Sequence, residues 1–303
     1  MKTKIVISLI IFAVLSGVIV SCQTLMAVAD VGAQIAGEAG VIDQNIANAI
    51  SISSKAGAAA AEEITPEQEY YIGRAVAANI LFTYKLWNGS AALTAYLNRI
   101  CAAITINSPR PDVYNGYHVA ILDSAEINAF ATSGGHIFVT RGIINAAKSE
   151  DALAGVIAHE VAHIQLQHSI KAIKNSRITQ ALMVTGTAAG GAAAGMNVNQ
   201  LTDVFNESVG EIVTTLVNNG YSRDQEYQAD NTAMSLMAAA GYNPSGLLDM
   251  LRQLSSVQNS SSGFGKTHPT PAQRITNAEK SVGSYKAANT DSSRQPRFTA
   301  ATK

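Results

Sequence analysis

Two cysteines are too few for a disulfide framework, and neither stands in a paired metal-ligand spacing such as Cys-x-x-Cys. The chain also lacks a charge imbalance: 21 Lys and Arg face 22 Asp and Glu, a formal net charge of -1 over 303 residues. That excludes the electrostatic footprint of a nucleic-acid binder and a polybasic surface for anionic lipid, so no nucleic-acid partner is expected. No repeat of solenoid period is present. With 47% hydrophobic residues the chain has enough apolar surface for a sizeable core, which excludes disorder as its main state. Any chemistry must come from histidines and carboxylates.

Lys2 and Lys4 precede an uncharged run from Ile5 to Val20, the charged and apolar regions of a secretory signal. The run is about 24 Å long as a helix, short of a full bilayer crossing. Ile19-Val20-Ser21-Cys22 resembles a bacterial lipobox, so residues 1–21 read as a lipoprotein signal peptide and Cys22 as the lipidation site that anchors the chain to a membrane. That resemblance implies the cell envelope, and the Gln23 that follows implies the outer membrane, facing the periplasm. Residues 22–63, rich in Ala, Gly and Ser, read as a tether.

A firm helix start follows, with Thr65 as N-cap, Pro66 at the first position and Glu67 and Glu69 in the first turn. A second helical pattern runs from Leu93 to Ile104 after Ser90 and buries Cys101. HVAIL (His118 to Leu122) and HIFVT (His136 to Thr140) read as strands, with AEINAFA between them. A long helix opens after Ser149 and runs to about Lys171. The uncharged stretch 178–196 is too poor in Leu, Ile and Phe for a membrane span and reads as a packed helix or a mobile flap. Further helices are expected over Arg223 to Ala240, Pro244 to Val257 and Pro271 to Val282, then a disordered tail over 283–303. The expected class is α+β, predominantly helical, with a small sheet and the main domain over 64–282.

The helix after Ser149 contains His159-Glu160-Val161-Ala162-His163. Residues four apart are offset by about 40° around a helix, so both imidazoles project to one side and can grip one ion, with the Glu160 carboxylate beside them. Two neutral nitrogens and a base near a metal are what a hydrolytic zinc site needs. His168, five residues on, is about 140° round a continuous helix and is expected to face elsewhere. Glu226 is the better third ligand: it shares a helix face with Asp230, which can then reach a ligand N–H and fix its tautomer. Two imidazoles and one carboxylate fit zinc best.

HEVAHIQLQH, SRDQEYQAD (Ser222 to Asp230), NAFATSGGHIFVT (Asn128 to Thr140) and THPTPAQRI (Thr267 to Ile275) are similar, in order and spacing, to the M48 family of zinc metallopeptidases. The resemblance covers about Thr65 to Ser281. It implies a zincin-like fold with the sheet beside the HExxH helix, and one Zn2+ on His159, His163 and Glu226 with Glu160 as base. It also implies that His268 and Arg274 lie near the site, His268 either stabilising the oxyanion or capping the zinc at rest. The activity implied is hydrolysis of internal peptide bonds, with unfolded or misassembled envelope proteins as substrates. Asn128, Ala129, Phe130 and Ala131 then read as an exposed edge strand to which an extended peptide adds. The competing reading is a latent or non-catalytic chaperone lipoprotein whose zinc site His268 keeps closed.

Overall fold

The computed structural model describes residues 22–40, 43–45, 48, 51, 64–171, 209–210, 212–257, 268, 270–285 and 292–303. The expected signal peptide, part of the tether and the stretch 178–196 lie outside the described residues. The chain divides into two units, Met1–Glu63 with Lys174–Asn197, and Ile64–Ile173 with Val198–Lys303. In the first, helix α1 spans Cys22–Glu38, and Gln34 donates to Asp30 and Ser51. No helix among the described residues is long and apolar enough to cross a membrane.

The second unit begins where the sequence places a helix start. Thr65 and Gln68 form a reciprocal capping box, with Pro66 at the first position of α2 (Pro66–Thr83). Its Ile72, Val76 and Ile80 stripe is buried. Ser90 caps α3 (Ala91–Thr105), which buries Leu93, Tyr96, Leu97, Ile100, Cys101 and Ile104. Three strands follow, β1 (His118–Leu122), β2 (Ala129–Ala131) and β3 (His136–Thr140). They form a sheet in the order β1-β3-β2, with β1 and β3 parallel and β2 antiparallel to β3. The β2–β3 connection turns through Gly134 at φ 76, where a Cβ would sit 2.5 Å from the Tyr70 backbone; only glycine permits α2 to pack that closely. A short helix α4 (Arg141–Ala146) then leads to α5 (Glu150–Gln165).

Helix α5 is the centre of the unit, with every residue from Glu150 to Ile164 buried. Ser149 caps it, and Glu150 and Asp151 occupy the first turn, where negative charge suits the helix dipole. Leu153, Ile157 and Val161 are fully enclosed, each stabilising the fold by roughly 1.5–3 kcal/mol. Helices α6 (Arg223–Ala239) and α7 (Ser245–Val257) pack against α5, and α8 (Pro271–Val282) against α6 and α7. At Gly155 the approach is so close that a Cβ would meet the Leu247 backbone at 2.9 Å.

The chain end departs from the expected disordered tail, because Arg294–Thr302 forms helix α9 with Phe298 buried. Its arginines close the start of α5. Arg297 pairs with Glu150, which also accepts from the Tyr96 hydroxyl at 2.8 Å, and Arg294 reaches Asp151 at 3.0 Å. Glu150 is only 1% exposed, so a cation from elsewhere in the chain is its natural partner.

Candidate metal centre

Helices α5 and α6 face each other, and the His159–His163 stripe of one meets the first turn of the other. A Ser222–Gln225 capping box fixes where α6 begins, and so where Glu226 points. His159 Nε2 and His163 Nε2 lie 3.1 Å apart. The two Glu226 oxygens stand 3.4 Å from His159 Nε2 and 3.6 Å from His163 Nε2. His268 Nδ1 lies 2.7 Å from Glu226 Oε2. One atom from each of the four residues falls within 4.8 Å of all the others, a separation that suits one cation. Glu226 Oε1 is buried and has no hydrogen-bond partner among the described residues, which is costly for a carboxylate unless a cation joins it. The donor set therefore fits a metal.

Asp230, one turn after Glu226, sits 3.0 Å from His159 Nδ1. Arg274 of α8 holds that carboxylate through Nε at 2.9 Å and Nη2 at 2.5 Å. Both residues are fully buried. Were His159 to ligate through Nε2, its proton would sit on Nδ1, where Asp230 could accept it.

Glu160 points into a cavity of about 10 Å³, roughly one water molecule, bounded also by Ala129, Phe130, His163, Tyr221 and His268. Its Oε1 has no hydrogen-bond partner among the described residues. The expected edge strand also lies here. β2 is terminal in the sheet, yet Ala129, Phe130 and Ala131 are buried, as is Asn128. The strand's residues are buried where exposure is expected, because β2 packs on α5 and Phe130 joins an apolar cluster with Ile212 and Leu216; its outer edge pairs with no strand among the described residues.

Two residues escaped the sequence reading. Tyr221 stacks on the His163 ring, centroids 4.4 Å apart and planes at 20°. His168 does not face elsewhere: its Nδ1 lies 2.9 Å from His163 Nδ1. The helix ends at Gln165, and Gln167 at φ 54 folds the chain back, so the angle expected for a continuous helix does not apply. No residue-type signal would have found Tyr221.

The electrostatics divide the two glutamates. Burial raises the Glu226 carboxyl, but His268, His159 and His163 outweigh it and hold it well below the usual range. Burial opposes ionisation of Asp230 too, and the Arg274 charge reverses the balance. At Glu160 burial prevails, with Glu226 adding to it, and lifts the carboxyl to about 7. Burial and Arg274 press His159 down, while Asp230 and Glu226 lift it to about 9, so a metal arriving at neutral pH displaces a proton there. Because the folded Glu160 pKa exceeds the unfolded value of 4.5, its contribution to stability is fully present below pH 4.5 and is lost as pH rises through about 7. In metal-free protein, Glu160→Gln is therefore expected to gain stability over the parent as pH climbs through that window. Denaturant titrations of both proteins at several pH values check it; stability curves that stay parallel would contradict it.

The model of the family described as Peptidase family M48 matches residues 91–282. The mitochondrial metalloendopeptidase OMA1 of Schizosaccharomyces pombe is 29% identical over 190 residues, 62% of this chain and 52% of that protein. The metalloprotease LoiP of Escherichia coli is 29% identical over 150 residues, 49% of this chain and 56% of that protein. The beta-barrel assembly-enhancing protease of Escherichia coli is 25% identical over 194 residues, 61% of this chain and 38% of that protein. The matched stretches thus span between 38% and 56% of these relatives' own lengths.

Proposed function

The chain belongs to peptidase family M48, and on that premise we propose that it is a zinc-dependent endopeptidase with His159, His163 and Glu226 as ligands of one Zn2+ and Glu160 as general base. The observation that carries this reading is the convergence of those three side chains around one point, with Glu160, whose Oε1 has no hydrogen-bond partner among the described residues, lining the adjoining cavity. Bound there, zinc supplies the positive charge that makes water acidic enough to attack at neutral pH and that polarises the scissile carbonyl.

Glu160 takes the proton of the attacking water and later delivers it to the leaving amine, a role suited by a buried carboxyl on the cavity wall. Asp230 keeps His159 Nε2 turned inward, and Arg274 keeps Asp230 ionised. His268, beside Glu226, is placed to donate to the oxyanion. A substrate strand adds along the outer edge of β2, where main-chain hydrogen bonds bring a peptide beside Glu160 with little sequence preference.

Backbone recognition favours unfolded or misassembled chains. Envelope proteins as substrates are supported by the signal-like N-terminus with its lipobox at Cys22, and by a relative named for enhancing β-barrel assembly. The same features support a lipid anchor on Cys22 at the outer membrane, with 22–63 as tether and 64–282 as the peptidase domain.

One observation favours a second reading, a latent or non-catalytic lipoprotein. His268 stands within the ligand cluster, and the cavity holds only about one water. Casein digestion by purified protein separates the two. The enzyme reading expects internal fragments, loss of activity with a chelator and recovery with Zn2+. Zinc-loaded protein that leaves casein intact would favour the second: as a latent enzyme if His268→Ala then cleaves casein, as a non-catalytic protein if it does not.

A further inference from the structure

The histidine that the sequence leaves without a role is the one placed to hold a ligand ring. His168 is 1% exposed, and its Nδ1 lies 2.9 Å from Nδ1 of His163. In such a contact one nitrogen donates and the other accepts. We propose that His168 is a positioning residue for the metal site, its Nδ1 accepting the His163 Nδ1–H and so holding the His163 lone pair on Nε2, toward His159 and Glu226. The inference rests on the reading of His159, His163 and Glu226 as ligands.

Only this direction of donation is compatible with metal binding. Were His168 the donor, neutral His163 would accept at Nδ1 and carry its one proton on Nε2. That nitrogen lies 3.1 Å from His159 Nε2 and 3.6 Å from Glu226, so no lone pair would face the site. With His168 accepting, its own proton sits on Nε2. The two ligand imidazoles are then anchored alike at Nδ1 but by different groups, His159 by a carboxylate and His163 by a neutral ring.

The backbone is built to deliver this contact. A continuous helix would carry residue 168 about 140° away from His163. Instead α5 ends at Gln165, and Gln167 adopts φ 54, a left-handed conformation that is strained for a non-glycine residue. The Gln167 amide donates to buried Glu69 at 3.2 Å, which helps hold the reversal. Tyr221 closes the arrangement, stacking on His163 and lying 5.5 Å from the His168 ring. Stacking fixes the plane of the His163 ring; the hydrogen bond fixes which edge turns inward.

The test uses the full chain stripped of metal, with Zn2+ titrated against a chromogenic chelator. His168→Phe keeps the shape and removes the acceptor, and is expected to weaken Zn2+ binding about 10- to 100-fold. His168→Asn, whose Oδ1 can replace Nδ1 as acceptor, should recover most of the loss, a rescue that a purely packing role does not produce. Parent-like binding by His168→Phe, or Asn no better than Phe, overturns the proposal. Should the Phe variant fail to fold, imidazole ¹⁵N resonances of the zinc-loaded parent decide: protons on His163 Nδ1 and His168 Nε2 support it, a proton on His168 Nδ1 overturns it. A parent that takes up no Zn2+ sinks the ligand reading as well, whereas a parent that binds beside an unaffected Phe variant sinks this inference alone.

Discussion

Glu160→Gln is expected to keep its metal and to lose peptide hydrolysis by about 10²- to 10⁴-fold, the range that a positioned general base contributes. The substitution is nearly isosteric, so the packing of α5 around residue 160 survives; what disappears is the ability to take a proton. Glu160 is 2% exposed and none of the contacts that join His159, His163 and Glu226 passes through it, which separates its proposed chemistry from metal retention. Zinc content and casein digestion measured on the same preparation check both halves. Parent-rate hydrolysis by the zinc-loaded variant would remove Glu160 from the mechanism.

Arg274→Met is expected to destabilise the metal-free protein by about 3–5 kcal/mol, the usual cost of leaving a buried ion pair without one partner. Arg274 and Asp230 are both 0% exposed, joined by two hydrogen bonds, and Glu226 lies 3.8 Å from the same guanidinium. Methionine fills the volume and leaves the two buried carboxylates facing the imidazoles of His159, His163 and His268 without the guanidinium charge. Against a total stability of roughly 5–15 kcal/mol, such a loss is large. Arg274→Lys restores the charge without the fork and should fall between the two. Denaturant midpoints in the presence of a chelator check the series. A shift under about 1 kcal/mol for Arg274→Met would mean that Asp230 is stabilised by something other than this pair.

Much of this site was legible because its signals are local. Ser149, Thr65 and Ser222 cap their helices as side-chain chemistry dictates. The i, i+4 spacings of His159 with His163 and of Glu226 with Asp230 survive folding because both pairs lie inside unbroken helices. HVAIL and HIFVT became β1 and β3 with the expected bounds, since their β-branched and aromatic residues fit a pleated surface.

What the sequence concealed depends on tertiary placement. His168 departs from the position that a continuous helix gives it because α5 ends at Gln165, and a glutamine at φ 54 leaves no compositional trace. The edge of β2 was read as open because strand patterning says nothing about what lies over it. Arg294 and Arg297, in a polar segment with one phenylalanine, gave no sign of the buried carboxylates at the start of α5 that order them as α9. Pairs separated by more than 140 residues have no spacing to read.

An anomalous difference map at the zinc edge, from crystals of the zinc-loaded chain, tests the central claim most directly. The account predicts one peak per chain within about 2.0–2.2 Å of His159 Nε2, His163 Nε2 and a Glu226 oxygen. A peak away from these three side chains, or a fully active protein with no peak at all, would contradict it.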